Sequence, residues 1–250
     1  MTVPLGPATE LVPVPADGRV FGQTVRPGLA DCSPSGRIRL DALARWLQDV
    51  AYADVEDAGV ADHAIWVIRR ARLHVTRFPR FGERFRVTTF CSGLGRMWAE
   101  RRTTIAREGA STSDVEAGAL WVHLDPVTQR PTPLTAVEMQ AYGAGAAGER
   151  KVTARLHHPP APEGAEALPW RFRATECDLA AHVNNAAYWL PLEEELLAGP
   201  DPEPDAIDVE IEHRTPAQPG DKQVLRDGDW RWIVDADGEA HASLVIAGRG

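Results

Sequence analysis

Cysteine is scarce in this 250-residue chain. Cys32, Cys91 and Cys177 are too few and too far apart for a disulfide framework or a zinc site. Lysine is almost missing too, and the near-total use of Arg among 27 basic residues reads as coding bias. No run approaches 18 uninterrupted apolar residues, so no membrane-spanning helix is expected. The opening MTVPLGPATELVPVPADG has neither a basic start nor a continuous apolar stretch, so no secretory signal is read there. These absences point to a reduced, cytoplasmic protein with no metal and no other cofactor. What is present is ordinary for a globular chain: 44% hydrophobic, 25% charged, 21 Gly and 20 Pro. That composition excludes collagen, a coiled coil and wholesale disorder, and the length suits one large domain or two small ones.

The net charge of -9 argues against nucleic acid as a partner. Its distribution is uneven. Residues 19–135 carry 17 Arg against 13 acids, whereas the rest carries 10 basic against 23 acidic groups. A mildly basic front on an acidic protein suits an acidic partner. Within it, Arg70/Arg72 and Arg84/Arg86 fall at strand spacing i, i+2, so each pair is expected to present two guanidinium groups on one face.

Along the chain, residues 1–18 read as a Pro-rich tail and 19–25 as a short strand. Leu43, Leu47, Val50 and Ala51 recur at helical spacing, which predicts a helix over 39–57 with Gly59 as its stop. Alternating runs at 66–68, 71–76, 85–90, 97–106 and 117–124, separated by Gly and Pro, predict an antiparallel meander. Residues 136–169 read as a linker that opens with a short helix. The linker holds a G-x-G-x-x-G at 143–148, but it follows a helical pattern and precedes a Pro-rich stretch, the wrong context for a dinucleotide site. His157-His158 has no further ligand at metal spacing in the sequence.

The order of elements then restarts. Arg26-x-x-x-x-Asp31-Cys32 before a helix has a counterpart 145 residues later in Arg171-x-x-x-x-Glu176-Cys177. A strand–Pro–Gly-acid turn at 77–83 has its echo at 215–221, and strands follow around 209–213, 222–225, 230–234 and 240–247. Matching order implies duplication. The fold class expected is α+β: two tandem units, 19–135 and 170–250, each a helix wrapped by an antiparallel sheet, paired edge to edge so that each covers an open edge of the other.

One constellation carries chemistry. Asp178 and His182 lie four apart at the entry of the second predicted helix, followed by Val183, Asn184 and Asn185. A carboxylate beside an imidazole sets its tautomer and raises its basicity, which suits water activation. N–H groups at the helix entry, near Val183 and Asn184, are expected to face a developing oxyanion. The plainer reading is that Asn184 or Asn185 caps the helix and His182 fills a turn.

His182-Val183-Asn184-Asn185-x-x-Tyr188, preceded by Asp178, resembles the second-repeat signature of acyl-[acyl carrier protein] thioesterases, which carry two fused hotdog domains. Trp66-Val67, Pro79, Gly82-Glu83, Arg101 and Trp121-Val122-x-x-Asp125 in the first copy are also similar, so the resemblance spans about residues 20–247. It implies two hotdog units joined as an intramolecular pseudo-dimer that hydrolyses fatty acyl thioesters and releases free fatty acid. The first hotdog supplies the acyl pocket and the second the catalytic residues. Asp178, His182 and Asn184 are then the catalytic candidates, with Trp66, Val183 and Asn185 as substrate contacts. Arg70, Arg72, Arg84 and Arg86 are candidates for docking acyl carrier protein, with acyl-CoA the other possible substrate, and the chain is expected as a monomer or homodimer. The family's D-x-N-x-H has Ala180 here in place of Asn, and its later Glu and Cys align with Pro216 and Ala217. Those departures leave a second reading open, a weakly active or non-catalytic acyl-binding protein.

Overall fold

Leu40, Leu43, Leu47 and Val50 form one wholly buried stripe of helix α1 (Leu40–Asp57), while Asp49 on the opposite side stays exposed. The helix ends where Gly59 takes φ +71°, a left-handed conformation that costs glycine little. The computed structural model describes residues 7–144 and 150–249. Within it, α1 is wrapped by β1 (Val20–Val25), β2 (Ile65–Val75), β3 (Phe85–Leu94), β4 (Trp98–Arg107) and β5 (Val115–Leu124). Helix α2 (Ala136–Tyr142) follows.

The second half repeats the plan with β6 (Glu166–Phe172), a 3-10 segment Asn185–Trp189 running into α3 (Leu190–Ala198), then β7 (Ile207–His213), β8 (Gly220–Asp227), β9 (Trp230–Val234) and β10 (Ala240–Arg249). The strand order is β1-β3-β4-β5-β2-β7-β10-β9-β8-β6, so the two five-stranded sheets mirror each other. They join where β2 pairs antiparallel with β7, from Arg70 opposite Glu212 to Val75 opposite Ile207. Each half thereby covers one edge of the other. The result is a double hotdog, an α+β pseudo-dimer within one chain.

The repeat extends to individual hydrogen bonds. Cys32 bridges to Ile38 and, 145 residues on, Cys177 bridges to Val183. Arg39 N–H donates to the Asp31 carbonyl at 2.9 Å, and Asn184 N–H to the Glu176 carbonyl at 2.8 Å. α1 and the 3-10 segment start at equivalent residues, Leu40 and Asn185.

Several boundaries differ from expectation, for physical reasons. The runs at 66–68 and 71–76 are one strand, broken in register by a bulge between Ile68 and Arg70. β6 begins at Glu166, ahead of residue 170. It is an edge strand, where Pro169 costs no ladder bond. The second helix opens as 3-10 rather than α. The tail is partly fastened: Ala8 and Thr9 N–H groups donate to Glu210 at 2.7 Å, and Thr9 is buried. The linker is fastened likewise, with His157 and His158 N–H groups on Glu212 and the Trp98 indole on the Val152 carbonyl. Of the G-x-G-x-x-G, residues 145–148 lie outside the described residues.

Candidate active site

Residues 176–184 form a tight loop rather than a helix entry. Asp178 N–H donates to the His182 carbonyl at 3.0 Å, and Ala181 takes φ +58°, a strained conformation for a residue with a Cβ. The Asp178 carboxylate holds the turn from inside, accepting Ala180 N–H at 2.9 Å on one oxygen and Asn184 Nδ2 at 3.0 Å on the other. Asn184 in turn caps the 3-10 segment, its Oδ1 accepting Ala186 N–H at 2.8 Å. His182, half-buried, makes no side-chain hydrogen bond among the described residues.

Behind the loop, Val183 N–H donates to the Ala217 carbonyl at 3.0 Å, and Ala217 N–H donates to the Tyr188 hydroxyl at 2.8 Å. These bonds hold Pro216 and Ala217 against the loop. Burial pushes the Tyr188 phenol up to about 12, so it is a neutral hydroxyl at every working pH. The Tyr188 ring meets His213 edge-on at 5.0 Å. His213 is buried, and burial first, then the nearby Arg69 charge, push its imidazole down to about 3.

Two expectations about this loop are corrected. Asp178 partners Asn184 and not the His182 imidazole, because the turn brings the carboxylate back over its own backbone. The Val183 and Asn184 N–H groups face backbone carbonyls, because the bridge between Cys177 and Val183 directs Asn184 N–H to Glu176 while Val183 N–H reaches Ala217 on the neighbouring segment. Asn185 lines a small cavity with Trp189 and His213, whereas Trp66 packs edge-on against His123 at 4.9 Å and does not line it. Sequence reasoning missed His213. As the last residue of an alternating strand it looks like any core position, and only the fold shows which side chains it meets.

The arginine pairs separate. Arg70 is 5% exposed, donates to Thr9 Oγ1 and the Arg155 carbonyl, and lies 3.8–3.9 Å from Glu210 and Glu212. Arg72 is held by Asp208 at 2.6 Å. Neither is a free docking group, because the β2–β7 register sets acids opposite both. Arg84 and Arg86 are exposed.

His158, Glu210 and Glu212 bring ligand-type atoms within 4.8 Å of one another, a cluster that spacing in the sequence hid. Their oxygens are occupied by the N–H groups of the tail and linker, and Arg70 already supplies a positive charge beside them. The donor set fits a clamp on the outer face of the sheet better than a cation site.

The double hotdog, together with the family match of its first half, places the protein in the class of acyl thioester hydrolases. Residues 19–142 match the acyl-ACP thioesterase N-terminal domain, and the chain is a member of the acyl-ACP thioesterase family. An uncharacterized protein of Mycobacterium tuberculosis is 26% identical over 217 residues, covering 86% of this chain and 85% of that protein. Among solved structures, the 12:0-ACP thioesterase of Umbellularia californica superposes with a TM-score of 0.71 at 16% identity, covering 92% of this chain and 98% of that one. An acyl-ACP thioesterase of Bacteroides thetaiotaomicron gives 0.69 at 15% identity, covering 91% and 96%.

Proposed function

We propose that the protein hydrolyses fatty acyl thioesters of acyl carrier protein, releasing free fatty acid, at the loop that carries Asp178, His182 and Asn184. The observation that carries this reading is the His182 imidazole, half-buried and unpartnered on a loop whose shape the Asp178–Asn184 pair fixes. In the reaction, water oxygen adds to the thioester carbonyl carbon while His182 takes a water proton. The C–S bond then breaks, its electron pair leaves on sulfur, and the proton passes to the thiolate. Asp178 is a positioning residue here, since its carboxylate acts through the loop. A thioester is already activated, so modest help from one base suffices. The test is thiol release by purified protein from acyl carrier protein and acyl-CoA thioesters of several chain lengths. Release from neither overturns the reading.

One observation favours the weaker reading. Ala180 offers no polar group where the family has Asn, and Pro216 stands exposed where it has Glu. Ala180→Asn should therefore raise kcat severalfold, as restoring a polar group near the oxyanion does. A rate unchanged by it would show that position 180 does not limit this enzyme.

For carrier recognition, Arg84 and Arg86 are the remaining candidates. Arg84 pairs with Glu108 at 3.1 Å, but both groups are more than half exposed, so the pair holds the guanidinium only weakly. Arg84→Glu with Arg86→Glu should raise KM for carrier thioesters about tenfold and flatten its dependence on salt, leaving acyl-CoA hydrolysis unchanged. An unaltered KM between about 50 and 500 mM salt would remove these residues from docking.

A further inference from the structure

A duplicated fold has two helix-entry seams, one per copy, and here they differ. In the first, Arg37 is 2% exposed and meets Glu193 of the opposite half at 2.8 Å. Glu193 Oε2 also accepts the N–H of Leu40, the first residue of α1, at 2.9 Å. Arg37 lies over the Phe78 ring as well, so this seam is filled.

The 145-residue repeat maps Arg37 onto His182, Leu40 onto Asn185 and Glu193 onto Gln48. Gln48 and Asn185 indeed come together across the second seam, lining one cavity with His213, Ala44, Ile68 and Trp189. No ion pair among the described residues fills it. Among the described residues, the side chains of Gln48, Asn185, His213 and His182 make no hydrogen bonds, although His213 is only 7% exposed. Polar groups enclosed this far are ordinarily bonded, so these atoms are open for a polar guest. The cavity is about 10 Å³, enough for one water or a carbonyl oxygen rather than an acyl chain.

We propose that this second seam receives the thioester carbonyl oxygen, with Gln48 of the first half and His213 as binding contacts beside Asn185. The proposal rests on the hydrolase reading above. All three lining groups can donate to a carbonyl oxygen as its negative charge develops, and none adds a fixed charge to the pocket. His213 is held neutral by burial, so it serves as an N–H donor while His182, three residues before Asn185 in the chain, moves the proton. The Arg37–Glu193 pair then makes the first seam structural, and the duplication has divided two equivalent sites into one that reacts and one that braces.

The test compares His213→Leu, His213→Gln and Gln48→Leu with the parent protein by kcat, Tm and binding of a ketone analogue in which a methylene replaces the thioester sulfur. Removing a buried imidazole that has no hydrogen-bond partner should leave Tm unchanged or higher while kcat falls about 100-fold. His213→Gln, which keeps a neutral donor, should recover part of the loss. Analogue binding should weaken about tenfold in both leucine variants. A lowered Tm with parental kcat and analogue binding would mean that these side chains only pack, and would overturn the proposal. Should the parent protein release no thiol from any acyl thioester, the hydrolase reading falls. Analogue binding then decides the cavity on its own, weakened binding supporting it as a carbonyl site and unchanged binding overturning it.

Discussion

His182→Ala should lower kcat for acyl thioesters by about 10²–10⁴-fold, the usual contribution of a positioned general base. Its side chain carries no hydrogen bond of the fold, so circular dichroism and Tm should match the parent. Asp178→Asn should cost about 10²-fold in kcat with KM unchanged. An amide there still accepts from Ala180 N–H but turns a second N–H donor toward the Asn184 amide, where the carboxylate now accepts. The loop would lose its brace, and His182 its position. A kcat/KM split separates this from simple unfolding, because a misfolded fraction lowers apparent kcat together with Tm. Parental rates in both variants would place the reaction elsewhere in the molecule.

Glu193→Ala should destabilise the fold by about 3–5 kcal/mol, as breaking a buried ion pair usually does. The substitution strands the Arg37 guanidinium, which is 2% exposed, and removes the acceptor of Leu40 N–H at the start of α1. Glu203, 2.8 Å from Arg37 Nε, keeps one partner in place and sets the expectation toward the lower end. Burial raises the Glu193 pKa and the Arg37 charge opposes the rise, the pattern of a carboxylate that needs its partner. Urea denaturation monitored by tryptophan fluorescence reads the change directly. A loss under about 1 kcal/mol would show that the seam reorganises around Glu203.

Much of the architecture was legible because it rests on local patterning. The α1 stripe, the alternating strands and the 145-residue echo each depend on near neighbours in sequence or on simple recurrence. The contiguous signature singled out Asp178, His182 and Asn184 as one segment, but not the turn that sets Asp178 on Asn184 instead of His182. What the sequence hid depends on which distant segments meet. Arg70 and Arg72 satisfy the i, i+2 rule for a shared face. Their partners Asp208, Glu210 and Glu212, however, lie on β7, more than 130 residues away, and the register that brings them together is tertiary. The Val183 N–H group was likewise claimed by the Ala217 carbonyl, and that of Asn184 by Glu176 across a bridge that no helix pattern announces. Gln48 and His213 carry no motif at all. They gain significance only once α1 and β7 are placed on either side of one cavity.

The β2–β7 junction also bears on how the chain survives its own synthesis. When the first half leaves the ribosome, β2 is an open edge, and its partner strand has yet to be made. An unpaired edge invites the same strand of another nascent chain. Arg70 and Arg72 occupy alternate positions along that edge, and two copies brought together would set guanidinium against guanidinium. β7 arrives with Glu212 and Glu210 opposite them and Asp208 paired with Arg72. The charge row that repels a stranger is thus neutralised by the chain's own second half, and the junction selects its partner before the sheet closes.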